Sequence, residues 1–439
     1  MSASVIDRDR VAAGGQRRGL MAALRDPAVR MRNTDIFAVL AAASLPWSTT
    51  PPAVFMALWL VALAFTADWR ALLTSLRRPA CALPLAFFAL AVAGTLWAQS
   101  PWPERLHGIN PVTKLLVIPL LIYHFERSQR GLWVLVAFLA SCTLLLAFSY
   151  VVLFAPALRI SETLGNGVPV KNYIDQSQEF ALCMFALAAP ALTLVRRRQW
   201  GLALACAALM LAFFVNMMFV VSARTALVYM PVLLLLFAAL HLRARTTVLL
   251  FAGAAVVAVA VWFSSPYLRE RVTHIEVEYQ GYQNNEITST AQRLGYWTRS
   301  LKFIGHAPLL GNGTGATKTL FEQDAAGKTG LAADVIGNPH NQTLNVAVQW
   351  GLLGCVVLYA MWIAHLLLFR GTSLVAYVGL LVVVQNMVSS LLNSHLFDFH
   401  EGWMYVLGVG VAGGMALKAR REDVSAAPSP AGAGGSARP

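Results

Sequence analysis

Charge is scarce in this chain. Of 439 residues only 13% are Asp, Glu, Lys or Arg, roughly half the usual share for a soluble domain. Acidic residues are the rarer sign, 21 against 34 basic, which leaves a formal net charge of +13. A basic surplus can mark a nucleic-acid binder. Here the basic residues lie in short clusters between apolar runs, so they act as orientation signal and no nucleic-acid partner is expected. The five cysteines (Cys81, Cys142, Cys183, Cys206, Cys355) all sit in apolar segments without metal-like spacing. They read as small buried hydrophobes. A cleavable signal peptide is not expected either, because the first thirty residues are basic and lack a sufficiently long apolar region.

What the chain does have is apolar length. It is 57% hydrophobic, with runs such as Gly201 to Val221 and Leu374 to Val388. A spanning helix needs about 20 mainly apolar residues. The expected fold is therefore an all-α polytopic membrane protein with about twelve transmembrane helices. Their approximate limits are 34–48, 52–68, 80–98, 111–125, 131–154, 178–195, 201–220, 223–241, 246–264, 342–368, 373–392 and 402–417. Counting alternate connections, the basic clusters all fall on one side. They comprise the arginines of the first 32 residues, Arg70 with Arg77 and Arg78, Arg127 and Arg130, Arg196 to Arg198, Arg243 and Arg245, Arg370, and Lys418 with Arg420 and Arg421. That side is the cytoplasm by the positive-inside rule, and both termini belong to it. The expected organisation is a cytoplasmic segment 1–33, spans one to nine over 34–264, an outer loop domain 265–341, spans ten to twelve over 342–417, and a tail 418–439. The tail is Ala/Gly/Pro/Ser-rich from Ser425 and is expected to be disordered.

Polar groups on the outer side then carry the chemistry. In VVSARTAL, Ser222 is placed to cap the eighth span, with Arg224 in that helix's first turn. A cation near a positive helix end suits a bound anion; the plain alternative is an arginine snorkelling to lipid headgroups. STAQRLGYWTRSLKFI reads as a helix with a capping box from Ser289 and Gln292. Leu294, Trp297, Leu301 and Ile304 would form its apolar face, and Arg293 stands near its start. An isolated arginine there is also compatible with a solvated surface. PLLGNGTGA, with glycines at 311, 313 and 315, reads as a flexible turn rather than a nucleotide loop, since no strand precedes it. In GNPHNQTLN, Pro339 ends the preceding segment and Asn341 caps the tenth span. His340 at that helix start should be neutral near pH 7, as a general base requires. A histidine merely satisfied by hydrogen bonds is the plain alternative. Arg159, Lys171, Asn172, Gln176 and Gln178 line the 155–177 loop and the following span, and Arg105 and Lys114 the 99–110 region and the fourth span. Lys114, inside an apolar segment, should face protein or water. NSHLFDFHEGW holds His395, Asp398, His400 and Glu401, but with no trusted zinc spacing, so no metal is expected.

These motifs, SAR (Ser222 to Arg224), RLGYW (Arg293 to Trp297), PLLGNGTG (Pro308 to Gly315) and NPHNQTLNVAVQWGLLG (Asn338 to Gly354), resemble the O-antigen ligase and polymerase superfamily of bacterial envelope glycosyltransferases. The resemblance implies a GT-C-like fold in the bacterial inner membrane, with residues 265–341 in the periplasm. It implies a metal-independent, cofactor-free, inverting transfer of a glycan from undecaprenyl diphosphate. In an O-antigen ligase the acceptor is a sugar hydroxyl of lipid A–core. The matching positions are His340 as base and Arg224 and Arg293 on the donor diphosphate. Asn338, Asn341 and Trp297 lie in the same motifs, and Arg159, Lys171 and Lys114 are further candidates for the anion-binding field. An O-antigen polymerase or a protein O-oligosaccharyltransferase would differ in acceptor only. A lipid or glycan transporter is the reading from another class, disfavoured because polar groups gather at one face rather than mid-membrane and no pair of broken helices recurs.

Overall fold

The computed structural model describes residues 26–160, 165–221, 223–266, 268–270, 272–274 and 288–426. Among these it is all-helical, 79% helix, with no strand. A helix stands at each apolar segment expected from the sequence. They are α1 (Pro27–Ser44), α2 (Thr50–Thr66) with a short α3 (Trp69–Ser75), α4 (Pro79–Ala93), α5 (Trp102–Thr113) leading into α6 (Val117–Phe125), α7 (Gly131–Phe154) and α8 (Tyr173–Arg196). There follow α9 (Trp200–Val215), α10 (Ala226–His241), α11 (Ala244–Ser264), α12 (Ser289–His306), α13 (Ala316–Ala325), α14 (Gln342–Leu368), α15 (Leu374–Ser389) and α16 (Phe399–Ala426).

Length and apolar composition together single out six of these as able to cross a membrane: Trp102–Phe125, Gly131–Phe154, Tyr173–Arg196, Trp200–Val220, Ala244–Ser264 and Gln342–Leu368. The α2–α3 pair, bent by 116°, makes a seventh when counted as one span. Three further apolar helices, Pro79–Ala93, Ala226–His241 and Leu374–Ser389, are shorter than a full crossing. α11 is apolar all round and exposes Leu249 (71%), Val256 (70%) and Phe263 (70%). Such a surface would aggregate in water and is at home only against lipid. The chain is a membrane protein.

Several boundaries differ from the sequence reading. α1 begins at Pro27 and α8 at Tyr173, ahead of the expected 34 and 178. The polar stretch 102–110, expected as a loop, is helical. Pro103 falls at the helix start, where its missing N–H costs nothing, and Glu104 in the first turn favours the positive helix end. The last helix continues to Ala426, because Lys418 donates to the Ser128 carbonyl and Arg420 to the carbonyls of Leu368 and Arg370. The part of the tail from 427 onward lies outside the described residues. The expected cap of the eighth span, Ser222, also lies outside them. α10 begins at Ala226 after Thr225, so Arg224 precedes the helix rather than sitting in its first turn.

The main core is a cluster of buried apolar side chains that includes Trp59, Phe87, Phe180, Tyr229, Trp350 and Tyr405, and a smaller one joins Tyr296, Phe303, Phe321 and Val348. α6 packs on α16, where Gly410 and Gly414 leave no room for a side chain: an added Cβ would lie 2.5 Å from Leu121 Cβ and 2.7 Å from the Ile122 oxygen. Several basic clusters make contacts with adjoining segments. Arg78 pairs with Glu126, Arg421 donates to the Glu126 carbonyl, Arg30 to Phe65 and Arg196 to His241. The opposite end gathers residues 94–105, 311–315, 338–345 and 390–401 through Thr314 N–H to Gly94 O (3.1 Å) and Gln342 N–H to Ser390 O (2.9 Å).

The glycine-rich 311–315 segment is a packed wedge rather than a flexible turn. Gly311, Gly313 and Gly315 have φ of +66°, +89° and +79°, which favours glycine. A Cβ on Gly311 would lie 2.5 Å from the Gln349 backbone, and one on Gly313 2.4 Å from Ala98 Cα. The wedge locks the 94–105 segment to α14. Gly327 also has a positive φ, +73°, but nothing within 4 Å of an added Cβ. Gly327→Ala should therefore cost only the left-handed strain, about 1–2 kcal/mol. Gly311→Ala should lower the unfolding temperature distinctly further, by the added overpacking of about 1–3 kcal/mol. Thermal unfolding of both variants in detergent checks this ordering, and equal shifts would contradict the wedge.

Candidate functional site

The site is built around the turn that precedes α14. His340 adopts φ +53°, a left-handed conformation that costs a non-glycine residue about 1–2 kcal/mol. Neighbours from three segments hold it there. Its own N–H donates to Asn338 Oδ1 (2.9 Å), and Ser394 Oγ donates to the same oxygen (2.7 Å). Trp297 Nε1 donates to the Pro339 carbonyl (3.0 Å). Asn341 caps α14 by accepting from Leu344 N–H (3.0 Å), as expected, and donates to the Leu391 carbonyl (2.9 Å). Asn338, Asn341 and Trp297 thus position the histidine.

The imidazole has a fixed tautomer. Nδ1 lies 2.7 Å from Asn393 Oδ1. An amide oxygen only accepts, so Nδ1 carries the proton and Nε2 keeps its lone pair. Burial pushes the His340 pKa below its ordinary value, and the positive charge of Arg293 pushes the same way; the Asn393 contact opposes them. The ring is neutral at pH 7, as expected, but burial is the main cause rather than the helix dipole.

Arg293 enters from α12. Its helix is capped by Thr288, which accepts from Ala291 N–H (3.3 Å). The Ser289–Gln292 capping box is not formed, because Gln292 instead donates to Asp334 Oδ2 (3.0 Å). The fully buried face is Ala291, Tyr296, Arg299, Ser300 and Phe303; of the expected apolar face, Trp297 and Ile304 are half-buried and pack against it, whereas Leu301 is exposed. Arg299 explains the offset. Its guanidinium is internal, paired with Asp324 Oδ2 at 2.9 Å and donating to the carbonyls of Asp334 and Phe321. The Tyr296 ring stands 6.2 Å from that of His340. Arg224 reaches the start of the same helix, donating to Ser289 Oγ and Thr290 Oγ1, both at 3.4 Å. Arg224, Arg293 and His340, distant in sequence, are therefore brought together around the first turns of α12.

The other candidates are placed elsewhere. Lys171 forms an ion pair with Glu179 Oε1 (2.6 Å) and donates to the Leu45 carbonyl. Lys114 donates to the carbonyls of Phe397 (2.9 Å) and Asp398. Both are cations consumed by the fold, as lone buried charges must be. Arg159 donates from Nε to the Pro156 carbonyl at 3.1 Å. Gln176 is buried against Ser149, Gly167 and Asn216.

Sequence reasoning missed Asn393 and the cavity beside it. That cavity, about 270 Å³, is lined by Asn172, Asp175, Asn393, Asp398, His400 and Glu401, among others. His400 Nδ1 lies 2.8 Å from Asp175 Oδ2. Burial raises the Asp398 pKa to about 7, against the pull of Lys114. His395, fully buried behind the cavity with Nδ1 3.2 Å from Gln178 Nε2, is pushed down to about 3 by burial first, with the Arg293 and His340 charges adding to the effect. The signal was present as the polar NSHLFDFHEGW at the outer end of a span, but read only as a rejected metal motif. Among the described residues no three His, Cys, Asp or Glu side chains form a metal-ligand group.

The pKa of His340 can be checked without any substrate. In histidine-selective NMR of the detergent-solubilised protein, the His340 midpoint should lie below the free value of about 6.5. Arg293→Gln removes a neighbouring positive charge, so it should move that midpoint upward. An unmoved midpoint would mean that the two side chains do not share a site.

The comparison with curated proteins gave no match. The family model described as O-antigen ligase matches residues 207–359, which include Arg224, Arg293, the glycine wedge and His340. That segment, about a third of the chain, is similar to the O-antigen ligase domain, and this supports a ligase- or polymerase-type function.

Proposed function

We propose that the protein is an O-antigen ligase. It transfers a glycan, with inversion and without a metal, from undecaprenyl diphosphate to a sugar hydroxyl of lipid A–core at the periplasmic face of the inner membrane. What supports this reading above all is the convergence of Arg224, Arg293 and a neutral His340 on the first turns of α12, within the matched family region.

The chemistry follows from the charges. The leaving group is a lipid diphosphate, which gains negative charge as the sugar departs. Arg224 and Arg293 hold its oxygens and stabilise that charge, with the bidentate geometry guanidinium offers. His340 Nε2 takes the proton of the acceptor hydroxyl as it attacks the anomeric carbon. One in-line displacement inverts that carbon. The cavity beside Asn393, walled by Asp175, Asp398, His400 and Glu401, offers hydrogen-bond partners to sugar hydroxyls. In this reading both termini are cytoplasmic, as the distribution of basic residues in the sequence suggests, and twelve helices span the membrane.

The test uses the purified protein in lipid nanodiscs with a polyprenyl-diphosphate-linked glycan and lipid A–core. Transfer should survive EDTA. Asparagine tolerates left-handed backbone, so His340→Asn keeps the turn and should lower turnover by about 10²–10⁴-fold. Arg224→Gln and Arg293→Gln should each raise the barrier by about 2.7–4 kcal/mol. Turnover of wild type should fall toward acid pH as His340 protonates, with the midpoint below the ordinary histidine value. Loss of transfer in EDTA would remove the metal-free chemistry, and full activity of His340→Asn would remove the base. Product only with a second lipid-linked glycan as acceptor would make the protein a polymerase.

A further inference from the structure

A second cavity, about 210 Å³, opens between the 97–100 segment, the glycine wedge and α13. Trp97, Gln99, Ser100, Asn312, Thr319 and Gln323 supply its polar lining, and Ala307, Ala316 and Leu320 its apolar part. None of its lining residues is charged. The cations on the flanking segments are engaged: Arg105 donates to the carbonyls of Ser100 (2.7 Å) and Thr95 (2.9 Å), and Lys318 pairs with Glu104 at 2.7 Å. Two polar atoms of the lining residues, Trp97 Nε1 and Thr319 Oγ1, are buried and have no hydrogen-bond partner among the described residues. Buried donors are almost always satisfied, so each calls for a partner that the protein does not provide.

We propose that this cavity is a binding subsite for one neutral sugar ring of a glycan substrate. An indole wall, side-chain amides and hydroxyls, with no charge, match a ligand that has apolar C–H faces and a rim of hydroxyls. Anionic headgroups would need a cation in the wall. The volume is well beyond a single water's share of about 30 Å³ and below the ~300–1,000 Å³ of drug-sized pockets. The ring it holds is not the reacting one. Asn312 Nδ2 donates to the Val348 carbonyl (3.0 Å), so the cavity wall meets α14 six residues beyond Gln342, about 9 Å along the helix from the His340 turn. The assignment of that sugar to a transferred or accepting glycan rests on the ligase reading; the binding itself does not.

The experiment is ligand-observed saturation-transfer NMR on the nanodisc-embedded protein, with glucose, rhamnose and N-acetylglucosamine as probes. The background is Arg224→Gln with His340→Asn, so that the transfer site contributes nothing and failure of the ligase reading leaves this result intact. At least one probe should receive saturation on its C–H protons. Thr319→Val and Trp97→Leu should weaken that binding by about three- to tenfold, as loss of one hydrogen bond implies. Thr319→Val also separates the roles, since replacing an unsatisfied buried hydroxyl by a methyl should leave the unfolding temperature unchanged or higher. Absence of signal for all three probes, or signal indifferent to both substitutions, would show a hydrated void and overturn the proposal. In the otherwise wild-type enzyme, Thr319→Val should raise KM for one substrate with kcat kept. A raised donor KM assigns the ring to the transferred glycan, and a raised acceptor KM to the core oligosaccharide. An unchanged KM for both would overturn the subsite's part in substrate binding.

Discussion

The left-handed turn at His340 is the constraint on which the site depends. A non-glycine residue at φ +53° stores strain, and such strain persists only where surroundings over-determine it. Here the surroundings come from three separate segments: Trp297 on α12, Asn338 and Asn341 beside the histidine, and Asn393 with Leu391 after α15. None of them can be displaced without releasing the ring. The same anchors fix which nitrogen is protonated, so backbone geometry and proton chemistry are set together. The long outer segment and the last connection must therefore both be folded before the imidazole is competent.

A second constraint is the fate of buried cations. A charge removed from water needs a partner, and the partner determines whether the cation serves the fold or a ligand. Lys171 answers to Glu179, Lys114 to the carbonyls of the 397–398 loop, and Arg299 to Asp324 and two carbonyls. These three are struts, and each ties a polar segment to a helix. Arg224 is instead directed to the hydroxyls at the start of α12, where Arg293 also stands. The sorting of arginines and lysines into struts and site residues is thus made by tertiary contacts.

That explains what could and could not be read in the sequence. Apolar length has a direct physical consequence in lipid, so every expected apolar segment is a helix, and Arg224, Arg293 and His340 do stand around the first turns of α12. The cap at Asn341 was legible because capping is local. Lys171 was misplaced because its lysine–glutamate pair could not be told from an anion-binding lysine by spacing. Asn393, 53 residues from His340, gave no local signal at all. The face of α12 was read only in part, with Trp297 and Ile304 at its edge, because Arg299 at its centre is charged, and periodicity counts a charge as solvent-facing. The packed state of the glycine wedge was illegible for a similar reason: glycine marks a turn equally well whether its surroundings are open, as at Gly327, or closed, as at Gly311.

The wedge also sets the scale of the site. It clamps α14 at Gln349 and Trp350, where Gly351 departs from helical geometry with φ +59°, and it clamps the 94–105 segment at Gly94 and Ala98. The stretch of α14 between the His340 turn and this clamp is held at both ends. His340 and the neutral cavity therefore stand at a fixed spacing, rather than on elements that slide. A glycan that fills both must present its reacting ring to His340 in one register, because translating it by a ring would empty one position. Fixed spacing along a rigid helix is thus a physical means of choosing which hydroxyl, among several of similar chemistry, meets Nε2.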